Sequence, residues 1–239
     1  YPHTEVLFAH EDIPNLAEIH AKSQDEPFGG FPTMAYGNIF QKAHSMGIKV
    51  LLDGQGMDEA WAGYDYYHDG SNNLVQGVRS KPVNSDVIDR EFAKYAFQED
   101  YPTPFHGSDL LNLQYRDIFH TKIPRALRFN DRVSMYYSTE LREPFLDYRL
   151  VELAFSQPKE RKIFNNQAKY ILRRISMDLL GDSIALAPKR PLQTPQREWL
   201  RVELRDWVHS KLELFASLDF VDGSEVFRAW GDYQKHGND

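Results

Sequence analysis

Residues 48–64 constrain the fold more than any other part of this sequence. They open with a short apolar run, Ile-Lys-Val-Leu-Leu, whose branched side chains predict a buried parallel strand. Gly54 and Gly56 end this run, and Asp58 and Glu59 stand where the first turn of a helix should begin. The stretch therefore predicts a strand, a glycine turn and a helix N-terminus in direct succession.

Such an arrangement can bind an anion, because unpaired backbone N–H groups and the helix dipole both favour negative charge at a helix N-terminus. If a phosphate binds there, the carboxylates of Asp58 and Glu59 would repel it unless a divalent cation lies between them. Magnesium suits this role, since it prefers hard oxygen ligands and bridged phosphates.

The same residues also have an ordinary structural interpretation. Acidic side chains in the first turn of a helix are common partners of its dipole, and glycines commonly follow strands in turns. The stretch is not a Walker-type loop, because no Gly-Lys-Ser/Thr follows it. It is not the dinucleotide-binding fingerprint either, because Glu59 stands where a third glycine is needed.

The composition excludes several classes of function. The formal net charge of −7 argues against non-specific binding to nucleic acid and to an anionic membrane surface. The absence of cysteine excludes disulfides, thiolate catalysis and cysteine-ligated zinc. No apolar run is long enough to predict a membrane-spanning helix, and we expect a cytoplasmic protein. The nine histidines show no metal-binding spacing, and no Gly-x-Ser-x-Gly nucleophile motif occurs.

Helix, glycine and strand follow one another in the N-terminal part. The sequence predicts a strand over residues 4–9, helices over 14–23 and 33–46 with a loop at 24–32 between them, and Gly47 as the cap that precedes the central strand. This order describes half of a right-handed parallel crossover. We therefore predict an α/β fold with an incomplete parallel sheet.

Helical periodicity dominates the remainder of the chain, after a polar surface loop over residues 69–86. We predict one partial domain over residues 1–239, with an α/β part at 1–64 and a mainly helical part at 65–239. The predicted helices cover residues 87–99, 108–121, 124–136, 147–156, 167–180 and 196–210.

Three further clusters of polar residues are candidates for chemistry. Arg142 and Asp147 flank a Pro-Phe-Leu turn, and this spacing favours a buried arginine–carboxylate pair that joins two helices. Lys169 lies at the start of a basic helix that can simply coat the surface. Lys189 lies in a proline-rich loop, where a lysine is usually solvated. A loop lysine that reaches a phosphate can instead neutralise charge that develops in a transition state.

These clusters resemble the motifs of one family, the glutamine-dependent asparagine synthetases. Residues 53–59 and Gly63-Tyr64 resemble its Ser-Gly-Glu-Gly-x-Asp-Glu…Gly-Tyr segment, and residues 131–147 resemble its Asp-Arg-x-Ser-Met…Glu-x-Arg-x-Pro-Phe-Leu-Asp motif. Residues 169–173 resemble its Lys-x-x-Leu-Arg helix. A last motif matches at Lys189, Pro195, Trp199 and Leu200, but Ala187 and Leu192 replace an arginine and a phenylalanine.

The resemblance implies an adenine-nucleotide α-hydrolase-like α/β domain that spends ATP to adenylate a carboxylate. In the family, aspartate becomes β-aspartyl-AMP, pyrophosphate is released, and ammonia from a separate glutaminase domain gives asparagine. The partners implied are therefore aspartate or another carboxylic acid and ammonia from a domain outside this chain, with ATP and magnesium. A homo-oligomer is compatible with this interpretation.

The resemblance also implies roles for particular residues. Asp58 would be a magnesium ligand, Lys189 would contact the α-phosphate, and Asp53 and Gly54 would lie against the nucleotide. Gln55 stands where the family has a glutamate near the intermediate and the incoming ammonia. Glutamine cannot act as a general base, so either that role is not proton abstraction here or the acid is not aspartate.

Two parts of the family pattern have no counterpart in this sequence. The pyrophosphate loop, Ser-Gly-Gly-x-Asp-Ser, has no match, and a cysteine-free chain cannot supply the glutaminase nucleophile. We therefore expect that the chain by itself neither hydrolyses glutamine nor completes adenylation. Two alternatives stay open: an amidotransferase of the same family that acts on a sugar acid or a peptide carboxylate or closes a ring, and a non-catalytic binding or assembly domain.

Overall fold

The protein is mostly helical. A computed structural model describes residues 3–69, 85–95, 101–188 and 194–236. None of the helices in these ranges combines the length and the apolar character needed to cross a membrane. In chain order the helices are α1 (Ile13–Gln24), α2 (Phe31–Ser45), α3 (Met57–Ala60), α4 (Tyr66–Asp69), α5 (Arg90–Ala93), α6 (Asp109–Phe119), α7 (Lys122–Tyr136), α8 (Tyr148–Ser156), α9 (Lys159–Lys162), α10 (Tyr170–Leu180), α11 (Asp182–Ala185), α12 (Gln196–Arg201), α13 (Arg205–Ala216) and α14 (Gly223–His236).

The described residues also form three short 3₁₀ helices (His10–Asp12, Ser85–Val87 and Pro144–Leu146) and two small sheets. Strand β1 (Val50–Leu52) pairs in parallel with β2 (Glu140–Arg142), with Leu51 opposite Leu141. Strands β3 (Ile163–Phe164) and β4 (Gln167–Ala168) form an antiparallel hairpin. The parallel pair confirms the predicted α/β class with a large helical portion.

The structure corrects two predictions about strands. The central strand is parallel as predicted, but it is not buried, since Val50 is 37% and Leu52 71% exposed. An apolar run identifies a strand without showing what covers its faces, and here β2 is its one partner among the described residues. Residues 4–9 form no strand, because no described strand pairs with them.

The helices on either side of β1 follow the sequence closely. The helix predicted over residues 14–23 is α1, and the helix predicted over 33–46 is α2, which begins two residues earlier because Pro32 occupies its first turn. Gly47 follows the end of α2 with φ +74°, a left-handed conformation that glycine adopts without steric cost. The predicted cap is therefore confirmed.

Helices α6, α7 and α8 confirm the predictions over residues 108–121, 124–136 and 147–156. The prediction over 167–180 begins too early, because residues 167 and 168 form β4 and α10 begins at Tyr170. The turn between β3 and β4 contains Asn165 and Asn166, whose left-handed φ values are 47° and 59°. The prediction over 196–210 is interrupted after α12, where the Leu204 N–H donates to the Trp199 carbonyl.

Other predictions fall partly or wholly outside the described residues. Only α5 and a 3₁₀ turn at Ser85–Val87 are described where a helix over residues 87–99 was expected, and residues 96–100 lie outside the described part. Most of the predicted loop over 69–86 also lies outside it. The predicted Arg142–Asp147 pair is wrong, because Arg142 pairs with Glu140 and Asp147 pairs with Arg149 at the surface.

The chain divides into two compact units. The first comprises residues 1–7, 17–72 and 101–192, and the second comprises residues 8–16, 73–100 and 193–239. In the first unit, Trp61 is the largest side chain of a core cluster that packs against partly buried apolar residues of α7, α8 and α10. In the second unit α13 packs against α14, and the ring of Phe92 stacks on that of Phe220 at 4.7 Å.

A buried imidazole fixes the packing of α2 in the first unit. His20 is fully buried, and its ring makes edge contacts with the rings of Phe28 and Tyr137. Burial lowers the pKa of His20, which favours the neutral imidazole. Gly37 of α2 faces this ring so closely that a Cβ there would lie 2.5 Å from Nε2, which a ring held between two aromatic neighbours cannot avoid.

We expect Gly37→Ala to lower the free energy of unfolding by about 1–2 kcal/mol, because overpacking outweighs the gain in helix propensity. The matched control is Gly231→Ala in α14, where a Cβ would meet no atom within 4 Å. That variant should gain about 0.5–1 kcal/mol. Urea denaturation followed by circular dichroism measures both, and equal stabilisation of the two variants would contradict the packing argument.

Candidate functional site

The predicted glycine turn and helix lie at the carboxyl end of β1. Gly56 precedes α3 with φ +89°, and a Cβ on it would collide with the side chain of Leu146. Gly54 has open space around its Cα, so the turn does not require glycine there on steric grounds. Asp58 and Glu59 lie in the first turn of α3, as the sequence predicts.

The Asp58 carboxylate forms an ion pair with Lys169. The distance from Oδ1 to Nζ is 2.8 Å, and the two side chains are 28% and 18% exposed. Lys169 precedes α10 and has a left-handed backbone with φ +54°. Gly63 lies against the pair: a Cβ on it would collide with Asp58 Oδ1 and lie 2.8 Å from Lys169 Cε. The glycine of the Gly-Tyr motif therefore leaves the space in which the pair forms.

Lys169 is a residue of the candidate site that was not among the predicted site residues. The sequence left open that it simply coats a helix surface, whereas it is mostly buried and paired with the acidic turn. The signal was available, because Lys169 opens the Lys-x-x-Leu-Arg match. Lys189, the lysine that we did predict for the site, lies outside the described residues. Its proximity to Asp58 stays a prediction.

Glu59, the neighbour of Asp58, is buried and contacts an aromatic side chain. It is 3% exposed and accepts a hydrogen bond of 2.8 Å from the Tyr64 hydroxyl. Burial raises the pKa of Glu59, while this hydrogen bond and the charge of Lys122 oppose the rise. The Lys122 ammonium lies 3.4 Å from the Tyr64 ring centroid and 4.6 Å from that of Tyr66. These contacts hold α3 in place.

A second buried carboxylate anchors the segment that follows α3. Asp117 Oδ2 accepts hydrogen bonds from the hydroxyls of Tyr66 at 2.5 Å and Tyr67 at 2.8 Å. Its Oδ1 accepts from Arg116 and from Thr121. Because every lone-pair direction of this buried carboxylate is used, the segment after the Gly-Tyr motif has a fixed position.

Two acidic residues meet at the carboxyl edge of the parallel pair. Leu52 is opposite Arg142 in register, so Asp53 and Glu143 leave the two strands side by side. Asp53 Oδ1 accepts from the Gly54 N–H at 2.6 Å. Asp53 Oδ2 and both oxygens of Glu143 are buried without a well-aligned hydrogen bond among the described residues. Ligands of open parallel sheets bind at this edge.

Burial raises the pKa of Glu143 to about 7, and the charge of Asp53 adds to the rise, while the Gln55 backbone N–H opposes it. Tyr36 of α2 faces the same group of residues. Burial and the Asp53 charge raise the pKa of Tyr36 to about 12, and a hydrogen bond with the Gln55 side chain opposes this rise. The structure thus brings Asp53 and Gln55 together with Glu143, which the sequence interpretation did not single out.

The geometry limits how a metal could bind. Among the described residues, no group of three His, Cys, Asp or Glu side chains could hold a metal ion. Asp58 is a single carboxylate that Lys169 already neutralises. Magnesium is commonly held by one or two carboxylates together with substrate phosphates. Asp58 would leave most of the coordination of a magnesium ion to nucleotide phosphates and water, and its role as a magnesium ligand stays a prediction.

The raised pKa of Glu143 predicts a pH dependence of stability. Between about pH 4.5 and 7 the folded state binds more protons than the unfolded state, so stability falls as pH rises through this window. For a partly exposed group we expect a loss of about 1–3 kcal/mol. Glu143→Gln should remove this loss and be the more stable protein at pH 8.

Urea denaturation at pH 4.5 and pH 8 checks this expectation. The control is Glu160→Gln, which changes an exposed glutamate of α9 and should leave the pH dependence as it is. If the wild-type protein and Glu143→Gln lose equal stability between the two pH values, Glu143 does not carry the effect.

Comparison with known proteins gives consistent matches. The family described as asparagine synthase matches residues 1–239. The chain is 30% identical over 213 residues to asparagine synthetase [glutamine-hydrolyzing] 1 of Bacillus subtilis. This match covers 70% of the chain and 34% of that protein. The chain is 25% identical over 240 residues to a putative asparagine synthetase [glutamine-hydrolyzing] of Mycobacterium tuberculosis, covering 80% of the chain and 37% of that protein. The chain thus spans about a third of the length of these relatives.

Proposed function

The chain belongs to the asparagine synthase family, and on that premise we propose that it forms part of an ATP-dependent carbon–nitrogen ligase. The observation that carries this proposal is the Asp58–Lys169 pair in the turn after β1. It places a candidate magnesium ligand and a cation together at the carboxyl end of a parallel strand, where nucleotides bind in such folds. We also propose that the sheet is of the adenine-nucleotide α-hydrolase-like type.

The proposed first step is adenylation of a carboxylate. An oxygen of the acid attacks the α-phosphorus of ATP, a new O–P bond forms, and pyrophosphate leaves with the electron pair of the bond that breaks. Magnesium would neutralise negative charge on the polyphosphate. Lys169, and Lys189 by resemblance, would hold positive charge beside the oxygens on which charge develops. Asp53 and Gly54 would lie against the nucleotide.

The proposed second step forms an amide. Ammonia, released from glutamine by a glutaminase domain outside this chain, attacks the acyl carbon and a C–N bond forms. The acyl C–O bond breaks, AMP leaves with its electron pair, and the proton that the nitrogen loses goes to water. With aspartate as the acid the product is asparagine. Gln55 lies at the strand end where this attack would occur, and its side chain is hydrogen bonded to Tyr36. It therefore can orient a substrate but cannot take the proton.

A specific observation keeps a different acid as the second candidate. The carboxyl edge of the parallel pair carries Asp53, Gln55 and Glu143, so two carboxylates face the region where an acid would bind. Aspartate has two carboxylates and one ammonium group, so the carboxylate that lies nearest this edge would be repelled unless the protein supplies compensating charge. A sugar acid or a peptide carboxylate brings a single carboxylate to the site. The proposed division of the chain at residue 64 stays a prediction.

Carboxylate-dependent exchange of pyrophosphate with ATP tests the proposal in the product of the intact gene. We expect Asp58→Asn and Lys169→Met each to lower the exchange rate by about 100-fold, because each removes charge that opposes the developing negative charge. Asp178→Asn, which changes an exposed residue of α10, serves as the control. Exchange that survives both site substitutions unchanged would end the proposal.

The identity of the acid follows from AMP formation measured with ammonia and a panel of acids. Asparagine synthesis predicts that aspartate gives the highest kcat/KM. A higher value with a sugar acid or a peptide carboxylate would favour the second candidate, and no AMP with any acid would favour a binding or assembly domain.

A further inference from the structure

A buried amide on α6 holds the helix that carries Asp58. Gln114 is fully buried, and its Nε2 donates hydrogen bonds of 2.7 Å to the backbone carbonyls of both Glu59 and Ala60. These carbonyls end α3, and the last carbonyls of any helix need donors from outside it. A helix of four residues is not stable by itself. Gln114 therefore supplies what α3 lacks.

A buried lysine orients this amide. Lys162, the last residue of α9, is fully buried, and its Nζ donates to Gln114 Oε1 at 2.8 Å. An ammonium group has donors only, so the amide oxygen must face Lys162 and the amide NH₂ must face the two carbonyls. The ammonium also lies 5.6 Å from the centroid of the Phe155 ring, which favours its charge.

The same lysine lies on the segment that delivers the other half of the ion pair. Directly after Lys162 the chain forms the β3–β4 hairpin over residues 163–168, and the next residue is Lys169. One hydrogen-bonded relay thus connects the segment that carries Lys169 with the helix that carries Asp58. Its members are Lys162, the Gln114 amide and the two carbonyls of α3.

We propose that Lys162 and Gln114 are positioning residues that hold Asp58 and Lys169 in the geometry needed for adenylation. This inference rests on the proposed function. Neither residue needs to touch the substrate. The relay acts because it fixes two segments that are more than 100 residues apart in the sequence at one place. Burial lowers the pKa of Lys162 to about 8, so the ammonium form that orients Gln114 still predominates at pH 7.

Two substitutions separate positioning from simple packing. Lys162→Met keeps the buried chain but removes the donor, so the Gln114 amide loses its fixed orientation. Gln114→Glu gives Lys162 a stronger partner but removes both donors to α3. If Gln114 serves only as an acceptor that offsets the desolvation of the Lys162 ammonium, Gln114→Glu should leave the exchange activity unchanged. If the relay positions the site, both variants should be impaired. Lys159→Met, at an exposed position of α9, is the matched control.

The kinetic test uses the product of the intact gene at pH 7 and measures ATP–pyrophosphate exchange. We expect both variants to lower kcat by about 10- to 100-fold with KM for ATP within about twofold, because misplacement of catalytic groups affects the transition state more than substrate binding. Lys159→Met should retain the wild-type values. A Gln114→Glu variant with wild-type kcat would overturn the proposal.

Hydrogen exchange in the same proteins gives a readout that does not depend on activity. Backbone amides of residues 57–63 should exchange about tenfold faster in both variants, while those of α13 should exchange as in the wild type. Unchanged exchange at residues 57–63, or equal acceleration in both places, would refute the relay. A wild-type protein without pyrophosphate exchange would refute the proposed function alone, since the amide measurement tests the relay by itself.

Discussion

The ion pair between Asp58 and Lys169 is the interaction on which the arrangement of the first unit depends. Both side chains are largely withdrawn from water, so each charge needs the other to offset its desolvation. Their partnership requires Gly63 to lack a Cβ, because that atom would occupy the space of the carboxylate. It also requires the backbone of Lys169 to turn into the left-handed region. The spacing of the acidic turn, the Gly-Tyr motif and the lysine helix thus has one physical cause.

The carboxyl edge of the β1–β2 pair shows the opposite electrostatic situation. There Asp53 and Glu143 lie side by side, and their buried oxygens lack well-aligned donors. Burial disfavours the ionised form of Glu143 and the like charge of Asp53 adds to this effect, so the pKa of Glu143 is raised to about 7. The candidate site therefore contains an ion pair at α3, where the charges of Asp58 and Lys169 offset each other. At the neighbouring strand ends the carboxyl groups of Asp53 and Glu143 have no such partner, and the charge of Glu143 changes near pH 7.

Features that depend on neighbouring residues were predicted well from the sequence, and features that depend on distant contacts were not. The turn before α3, the Gly47 cap and helices α6 to α8 follow from local spacing. Strand β2 has no apolar run, and only its register with β1 defines it as a strand. The burial of β1, the partner of Lys169 and the role of Glu143 all depend on which segments meet in space.

The hairpin before α10 explains why a lysine can occupy a left-handed position. Asn165, Asn166 and Lys169 all have positive φ, and asparagine tolerates this conformation better than lysine does. A strained backbone persists only where its surroundings over-determine it. Here the β3–β4 pairing fixes the chain on one side of Lys169, and the carboxylate of Asp58 holds its side chain on the other. The left-handed backbone and the ion pair therefore occur at the same residue, and the contacts on its two sides together stabilise a conformation that lysine seldom adopts.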